Sequence, residues 1–198
     1  MANYDRYKAE TAESYEKKGI MYYLVRIQSD RKLLPFISQI KGKKILDAGP
    51  GSGRYTKLLL QDNEVVGIDR NPHLCKLPIK LHEGDATQLS QIVGARGFDM
   101  VFSTWMTEYL NPQQLSDFFK QARVVLKENG EIVTTVVSKY GFGYLYITAA
   151  RLLRGISKYN YSKREVCDKL REAGFKEILI IDLNSWLGIP WAYLVTAK

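Results

Sequence analysis

The stretch Asp47-Ala48-Gly49-Pro50-Gly51-Ser52-Gly53 decides how this 198-residue chain is to be read. It leaves Lys44-Ile45-Leu46, an apolar run of strand length, and enters a helical stretch from Tyr55 to Gln61. A turn with glycine at alternate positions has no side chains to hold a ligand away from the main chain, and the helix N-terminus beyond it presents free N–H groups. The next apolar run, Glu64-Val65-Val66-Gly67-Ile68-Asp69, ends in an acid 22 residues after Asp47. At that spacing a carboxylate can accept both hydroxyls of a ribose. The dinucleotide fingerprint would need its third glycine at position 54, which is Arg54, so a nicotinamide-dependent oxidoreductase is disfavoured. Each acid also has a plainer reading: Asp47 as a helix cap, Asp69 opening a turn before Asn71-Pro72, and Asp85 forming an Asx turn.

Outward from the loop, strand-length runs alternate with helical ones. Ile79 to His82, Phe98 to Phe102 and Glu131 to Val137 read as further strands. Pro112 opens a helix carrying Leu115, Phe118, Ala122 and Val125 on one face and ending near Asn129-Gly130. Ser162 and Glu165 form a capping box for another, with Gly174 as its stop. This alternation predicts a parallel sheet covered by helices on both faces. Lys176 to Asp182 and Trp191 to Ala197 also read as strands, and the link between them is too short for a helical crossover, so they should pair antiparallel. Residues 1–40 read as a helical cap, 139–171 as a lid-like insertion, and the whole of 1–198 as one domain.

Composition excludes several classes. At 45% hydrophobic and 25% charged residues the chain is of ordinary globular type. Its apolar runs fall short of the roughly 18 residues a spanning helix needs, and the early acids of the N-terminus do not fit a secretory signal, so a cytoplasmic location is expected. Cys75 and Cys167 have no C-x-x-C or His-rich company, so they are expected to be packed thiols and no metal is called for. His73 is expected near an adenine rather than a reacting group, and His82 in the core. A net charge of +8 favours anionic partners.

The Asp-x-Gly-x-Gly-x-Gly pattern of Asp47 to Gly53 resembles motif I of the class I S-adenosylmethionine-dependent methyltransferases, and the resemblance runs from about Lys43 to the end of the chain. It implies a doubly wound, Rossmann-like α/β fold: a seven-stranded, mostly parallel sheet closed by the antiparallel hairpin already inferred. It also implies S-adenosyl-L-methionine as cofactor. Gly49, Gly51 and Gly53 would lie against its methionine part, with Asp47 helping to hold the ammonium and Asp69 the ribose. Asp85 and Ala86 would line the adenine, Ser103 would stand where the chain closes over the cofactor, and Tyr15, in Ala12-Glu13-Ser14-Tyr15, would cover it.

The resemblance also bears on the acceptor. Members that methylate nucleic-acid bases carry an Asn/Asp-Pro-Pro-aromatic tetrad after the fourth strand, where this chain has Ser103-Thr104-Trp105-Met106. The stretch Ser103 to Pro112 is more similar to ubiquinone/menaquinone-biosynthesis enzymes, except that Tyr109 stands where a His commonly follows the Glu. Glu108 and Tyr140 are the candidate catalytic residues, to orient a substrate hydroxyl. Residues 139–171 hold eight basic residues against Glu165 and Asp168, interleaved with tyrosines. That composition suits an anionic apolar ligand or a membrane surface, and also single-stranded RNA; a solvated helix face with packed tyrosines is the bland alternative. A small or lipid-like acceptor is preferred. An RNA methyltransferase and a module that binds the cofactor without catalysis are the alternatives.

Overall fold

The computed structural model describes residues 27–154, 157–186 and 189–198. Seven strands form one sheet: β1 (Lys44–Ala48), β2 (Glu64–Asp69), β3 (Lys80–Glu83), β4 (Phe98–Ser103), β5 (Leu126–Val137), β6 (Ile178–Trp186) and β7 (Ile189–Ala197). Their order across the sheet is β3-β2-β1-β4-β5-β7-β6. Pairing is parallel from β3 through β5, whereas β7 runs antiparallel to both β5 and β6. The sequence order reverses between β1 and β4, so the carboxyl ends of these two neighbours flank the crevice in which open α/β sheets bind ligands.

Successive strand residues face opposite sides, and each side has its own core. Leu46, Val66, Val101 and Ile132 pack with Leu115, Phe118, Phe119 and Ala122 of α4 (Pro112–Val125), and with Val166 and Leu170 of α6 (Lys163–Glu172). Ile45, Val65, Met100 and Val133 face the other way, against Leu33 and Ile37 of α1 (Ile27–Ser38) and Leu59 of α2 (Thr56–Leu59). The predicted cap of α6 forms, with Ser162 and Glu165 closing a box, and Asn111 and Gln114 close another at the start of α4. Helix α3 (Leu89–Val93) is a short connection before β4.

The structure departs from the sequence reading at several ends. Helix α4 stops at Val125 rather than near Asn129-Gly130, because Leu126, 1% exposed, already pairs with Phe98. Pairing with β4 then jumps to Met100 opposite Glu131, absorbing the exposed Lys127 to Asn129. The terminal strands are longer than expected: Trp186 pairs with Ile189, which leaves two residues between them. His82 is half-buried rather than in the core, since β3 is an edge strand. Cys75 is buried as expected, and Cys167 is half-buried. Of the N-terminal cap only Ile27 onward is described, so Tyr15 lies outside the described residues.

The insertion after β5 contains α5 (Gly141–Arg154), which sits on the end of the sheet. A side chain at Gly143 would come within 2.4 Å of the Ser138 carbonyl oxygen and 2.8 Å of that of Trp191, so glycine permits the helix to approach this closely. Phe142 stacks on Trp191 with ring centroids 5.2 Å apart.

Candidate active site

The glycine loop joins β1 to α2 at the carboxyl edge of the sheet. Gly49, Gly51 and Gly53 all have left-handed backbones, with φ of +81°, +58° and +80°, a conformation only glycine adopts without strain. Their surroundings differ. A Cβ at Gly49 would lie 2.7 Å from Met106 Cγ, and one at Gly53 2.7 Å from Leu77 Cδ1, whereas one at Gly51 would meet nothing within 4 Å among the described residues. Two glycines pack against the protein's own side chains; the middle one meets none of the described residues.

Two buried acids stand beside the loop. Asp47, 2% exposed, ends β1's ligand-side face and accepts a 2.7 Å hydrogen bond from Thr56 Oγ1. Burial pushes its carboxyl up to about 7; the Thr56 bond opposes this, and the charge of Asp69 adds to it. Asp69, 3% exposed, ends β2 and accepts from Gly51 N–H at 3.0 Å and Asn71 N–H at 2.8 Å. It therefore shapes the loop. A pair of buried acids, one of them reluctant to ionise, fits a cationic ligand.

Asp85 caps a 3₁₀ turn (Ala86–Gln88) by accepting from Thr87 N–H and Thr87 Oγ1, both at 2.8 Å, and its other oxygen is 3.9 Å from Arg70. The plain Asx reading thus describes its contacts, with Ala86 half-buried beside it. Ser103, fully buried, donates to the Ala48 carbonyl at 2.8 Å and ties β4 to the glycine loop. His73 is exposed.

The chain leaving β4 packs across the loop through Met106. Trp105 before it has φ +57°, a strained backbone for an aromatic residue, held by its N–H donating to Thr135 Oγ1 at 2.7 Å. A second 3₁₀ turn (Thr107–Tyr109) then buries Glu108, which is 5% exposed. The Lys158 ammonium, with a fully buried side chain, meets Glu108 Oε1 at 2.5 Å and donates to the Tyr146 hydroxyl at 2.5 Å. It lies 4.8 Å and 4.6 Å from the ring centroids of Tyr109 and Tyr146.

Comparison with known proteins agrees with this geometry. Residues 46–134, from β1 through most of β5, match the family model described as a methyltransferase domain. Over this stretch the chain is similar to methyltransferases. The tRNA U34 carboxymethyltransferase of Hydrogenovibrio crunogenus is 27% identical over 194 residues, covering 86% of this chain and 56% of that protein. Phosphoethanolamine N-methyltransferase 3 of Arabidopsis thaliana is 27% identical over 111 residues, 51% of this chain and 23% of that protein. The chain thus spans little more than half the length of the one and a quarter of the other. Among solved structures, a SAM-dependent methyltransferase of Thermotoga maritima superposes with a TM-score of 0.70 at 16% identity, covering 93% of this chain and 94% of that one. One from Archaeoglobus fulgidus gives 0.69 at 16%, covering 87% and 92%.

The structure brings the glycine loop, Asp47, Asp69 and Ser103 together at the carboxyl ends of β1, β2 and β4. Tyr140 stands apart: it is 59% exposed at the foot of α5, its N–H donating to Ser138 Oγ at 3.1 Å. Sequence reasoning missed Lys158, which it counted with the surface charge of the insertion. The neighbouring Tyr-Asn-Tyr run gave the available signal, because Tyr161 is buried and donates to the Leu110 carbonyl, drawing this segment under the post-β4 turn.

Most of the insertion's cations have partners within the protein, though among them Lys139 and Lys163 stay about half exposed. Lys139 pairs with Glu165 at 2.7 Å, Lys163 with Asp182 at 2.8 Å, Lys169 donates to Ser116 Oγ at 2.8 Å, and Arg151 donates to the Lys158 carbonyl at 2.7 Å. Arg164 and Arg171 share Asp168 on the exposed face of α6. Among the described residues no helix is long and apolar enough to cross a membrane, and no group of three or more His, Cys, Asp or Glu side chains is arranged to hold a metal ion.

Proposed function

We propose that residues 1–198 act as one methyltransferase domain that binds S-adenosyl-L-methionine over the glycine loop and delivers its methyl group to a small or lipid-like acceptor beneath the insertion. The carrying observation is the glycine loop beside the buried acids Asp47 and Asp69, with space at Gly51 among the described residues. In this reading the loop's main chain cradles the amino-acid tail, Asp47 faces the ammonium, Asp69 at the end of β2 holds the ribose, and the Asp85–Ala86 turn borders the base. When bound, the cofactor supplies a carbon activated by positive sulfur and open to in-line displacement. The chain's task is then to align the acceptor and keep water out. In this reading Glu108 and Tyr140 are the candidates to orient the acceptor, and Tyr15 would cover the cofactor.

An acceptor of apolar character is supported by α5, which exposes Tyr144, Leu145 and Leu152 beside Tyr140. Such a face also suits contact with a membrane surface. A second reading, methyl transfer to RNA, is favoured by the similarity to the tRNA enzyme over 86% of the chain. The internal pairing of the insertion's cations counts against it, because nucleic-acid affinity depends on cations free to replace counterions.

Calorimetry with S-adenosylmethionine and S-adenosylhomocysteine tests the site, and no heat with either refutes it. Methyl-labelled cofactor incubated with separate metabolite, lipid and RNA fractions tests the rest. Label in the first two supports the small-acceptor reading, label in RNA supports the second, and binding without transfer to any fraction identifies a non-catalytic module.

A further inference from the structure

The strongest unabsorbed feature is the Glu108–Lys158 pair. Taking an ammonium and a carboxylate fully out of water is costly, and the loss is offset only when the remaining lone pairs and protons also find partners. The ammonium is well served, by Glu108 Oε1, the Tyr146 hydroxyl and two aromatic faces. The carboxylate is not: Glu108 Oε2 is buried and has no hydrogen-bond partner among the described residues. A purely structural pair would be expected to satisfy both oxygens, since buried unsatisfied acceptors are rare and call for an explanation. The main chain shows that the arrangement is fixed. Tyr159 N–H donates to the Glu108 carbonyl at 2.7 Å, and Arg151 of α5 donates to the Lys158 carbonyl at 2.7 Å while lying over the Tyr159 ring at 5.3 Å. Glu108 stands two residues beyond Met106, whose side chain packs on Gly49 of the glycine loop. The insertion and the cofactor loop therefore converge on this one turn.

We propose that Lys158 is a positioning residue of the acceptor site, locking Glu108 through Oε1 so that Oε2 receives a hydrogen-bond donor, a hydroxyl or amine N–H, from the methyl acceptor. The proposal rests on the methyl-transfer reading above. It assigns the acceptor a donor group next to the reacting atom, and it makes docking of the insertion a condition for holding the acceptor. Tyr146, on α5, is the link: its hydroxyl and ring both meet the Lys158 ammonium.

The test uses the whole chain, methyl-labelled S-adenosylmethionine and a metabolite extract as the acceptor source, with labelling rate followed against amount of extract. Cofactor affinity is measured in parallel by calorimetry and folding by thermal melt. Glu108→Gln and Lys158→Met should each lower the plateau rate at least tenfold and raise the half-saturating amount of extract, while cofactor affinity stays within twofold of wild type. The double variant should be no worse than either single one, because both disable the same contact. Tyr146→Phe, a smaller change that serves if Lys158→Met does not fold, should raise half-saturation several-fold with a nearly unchanged melt. Folded variants that bind cofactor and label the extract with the wild-type plateau and half-saturation overturn the proposal and leave the methyl-transfer reading intact. A wild-type protein that binds no cofactor, or binds it and labels nothing, overturns both.

Discussion

Asp47→Asn should change how stability depends on pH, and by a calculable amount. The Asp47 carboxyl is pushed from 3.8 up to about 7, mainly by burial, so the folded chain holds its proton more tightly than the unfolded one. Below pH 3.8 the group is neutral in both states and costs nothing. Between there and pH 7 the unfolded chain ionises first, and stability falls by about 1.4 kcal/mol for each pH unit. Over the interval from 3.8 to about 7 the loss reaches about 4 kcal/mol, and it levels off above that. Asparagine keeps the shape and a hydrogen bond with Thr56 but never ionises. Urea titrations at pH 4.5, 6, 7.5 and 8.5 should therefore show the variant gaining on wild type as pH rises, by up to about 4 kcal/mol at the alkaline end. Cofactor affinity should move in the opposite sense: it should rise with pH in wild type, as Asp47 becomes the anion that meets the ammonium, and stay flat and weaker in the variant. Stabilities that run parallel across this range would refute the reasoning, because Asp47 would then ionise in the folded chain as readily as in the unfolded one.

Gly51→Ala and Gly49→Ala should separate ligand space from packing space. Both impose a left-handed alanine costing about 1 kcal/mol, but the second also collides with Met106, so its melt should fall by at least a further 1 kcal/mol, whereas Gly51→Ala should show its main deficit in cofactor calorimetry. Asp69→Ala should weaken cofactor binding by about 2–3 kcal/mol and, because Gly51 and Asn71 lose their acceptor, speed amide exchange in the loop. The Glu165 carboxyl is pushed up by burial but brought down to about 2 by hydrogen bonds from Lys139 and Ser162; the stability it lends is complete above pH 4.5 and lost as pH falls toward 2, an effect that acid titration of Glu165→Gln should lack and that salt should reduce, since the side chain is 40% exposed. Ser162→Ala, which removes the cap of α6, should cost about 1 kcal/mol by thermal melt.

What was legible in the sequence follows from how local its causes are. A glycine loop must sit between strand and helix, an acid at a strand end is recognisable by spacing, and a Ser-x-x-Glu cap involves only four residues, so all of these appear in the structure where the chain announced them. The end of α4 was misjudged because Leu126 leaves the helix for a partner, Phe98, that lies 28 positions earlier in the chain. His82 was misjudged because only the finished strand order shows that β3 is an edge. Asp69 was read either as a ligand group or as opening a turn before Asn71-Pro72, and its hydrogen bonds from the Gly51 and Asn71 N–H groups make it part of the loop's own architecture.

The charge of the insertion illustrates the same limit with functional weight. In the sequence, eight cations against two acids in 139–171 look like a surface built for anions. In the fold, partners from outside that window consume much of it: Glu108 precedes it by 31 residues, Ser116 lies on α4, and Asp182 lies on β6. A lysine drawn 50 positions back to a buried glutamate cannot be told from a solvated one by composition, because burial is decided by where the chain returns, not by its local content. With Lys158 buried and Lys163 and Lys169 paired, what α5 exposes includes Tyr144, Leu145 and Leu152. On the proposed reading, an acceptor held beneath it would be selected less by negative charge than by an apolar body and one hydrogen-bond donor, the combination that a buried carboxylate oxygen beside aromatic rings is suited to hold.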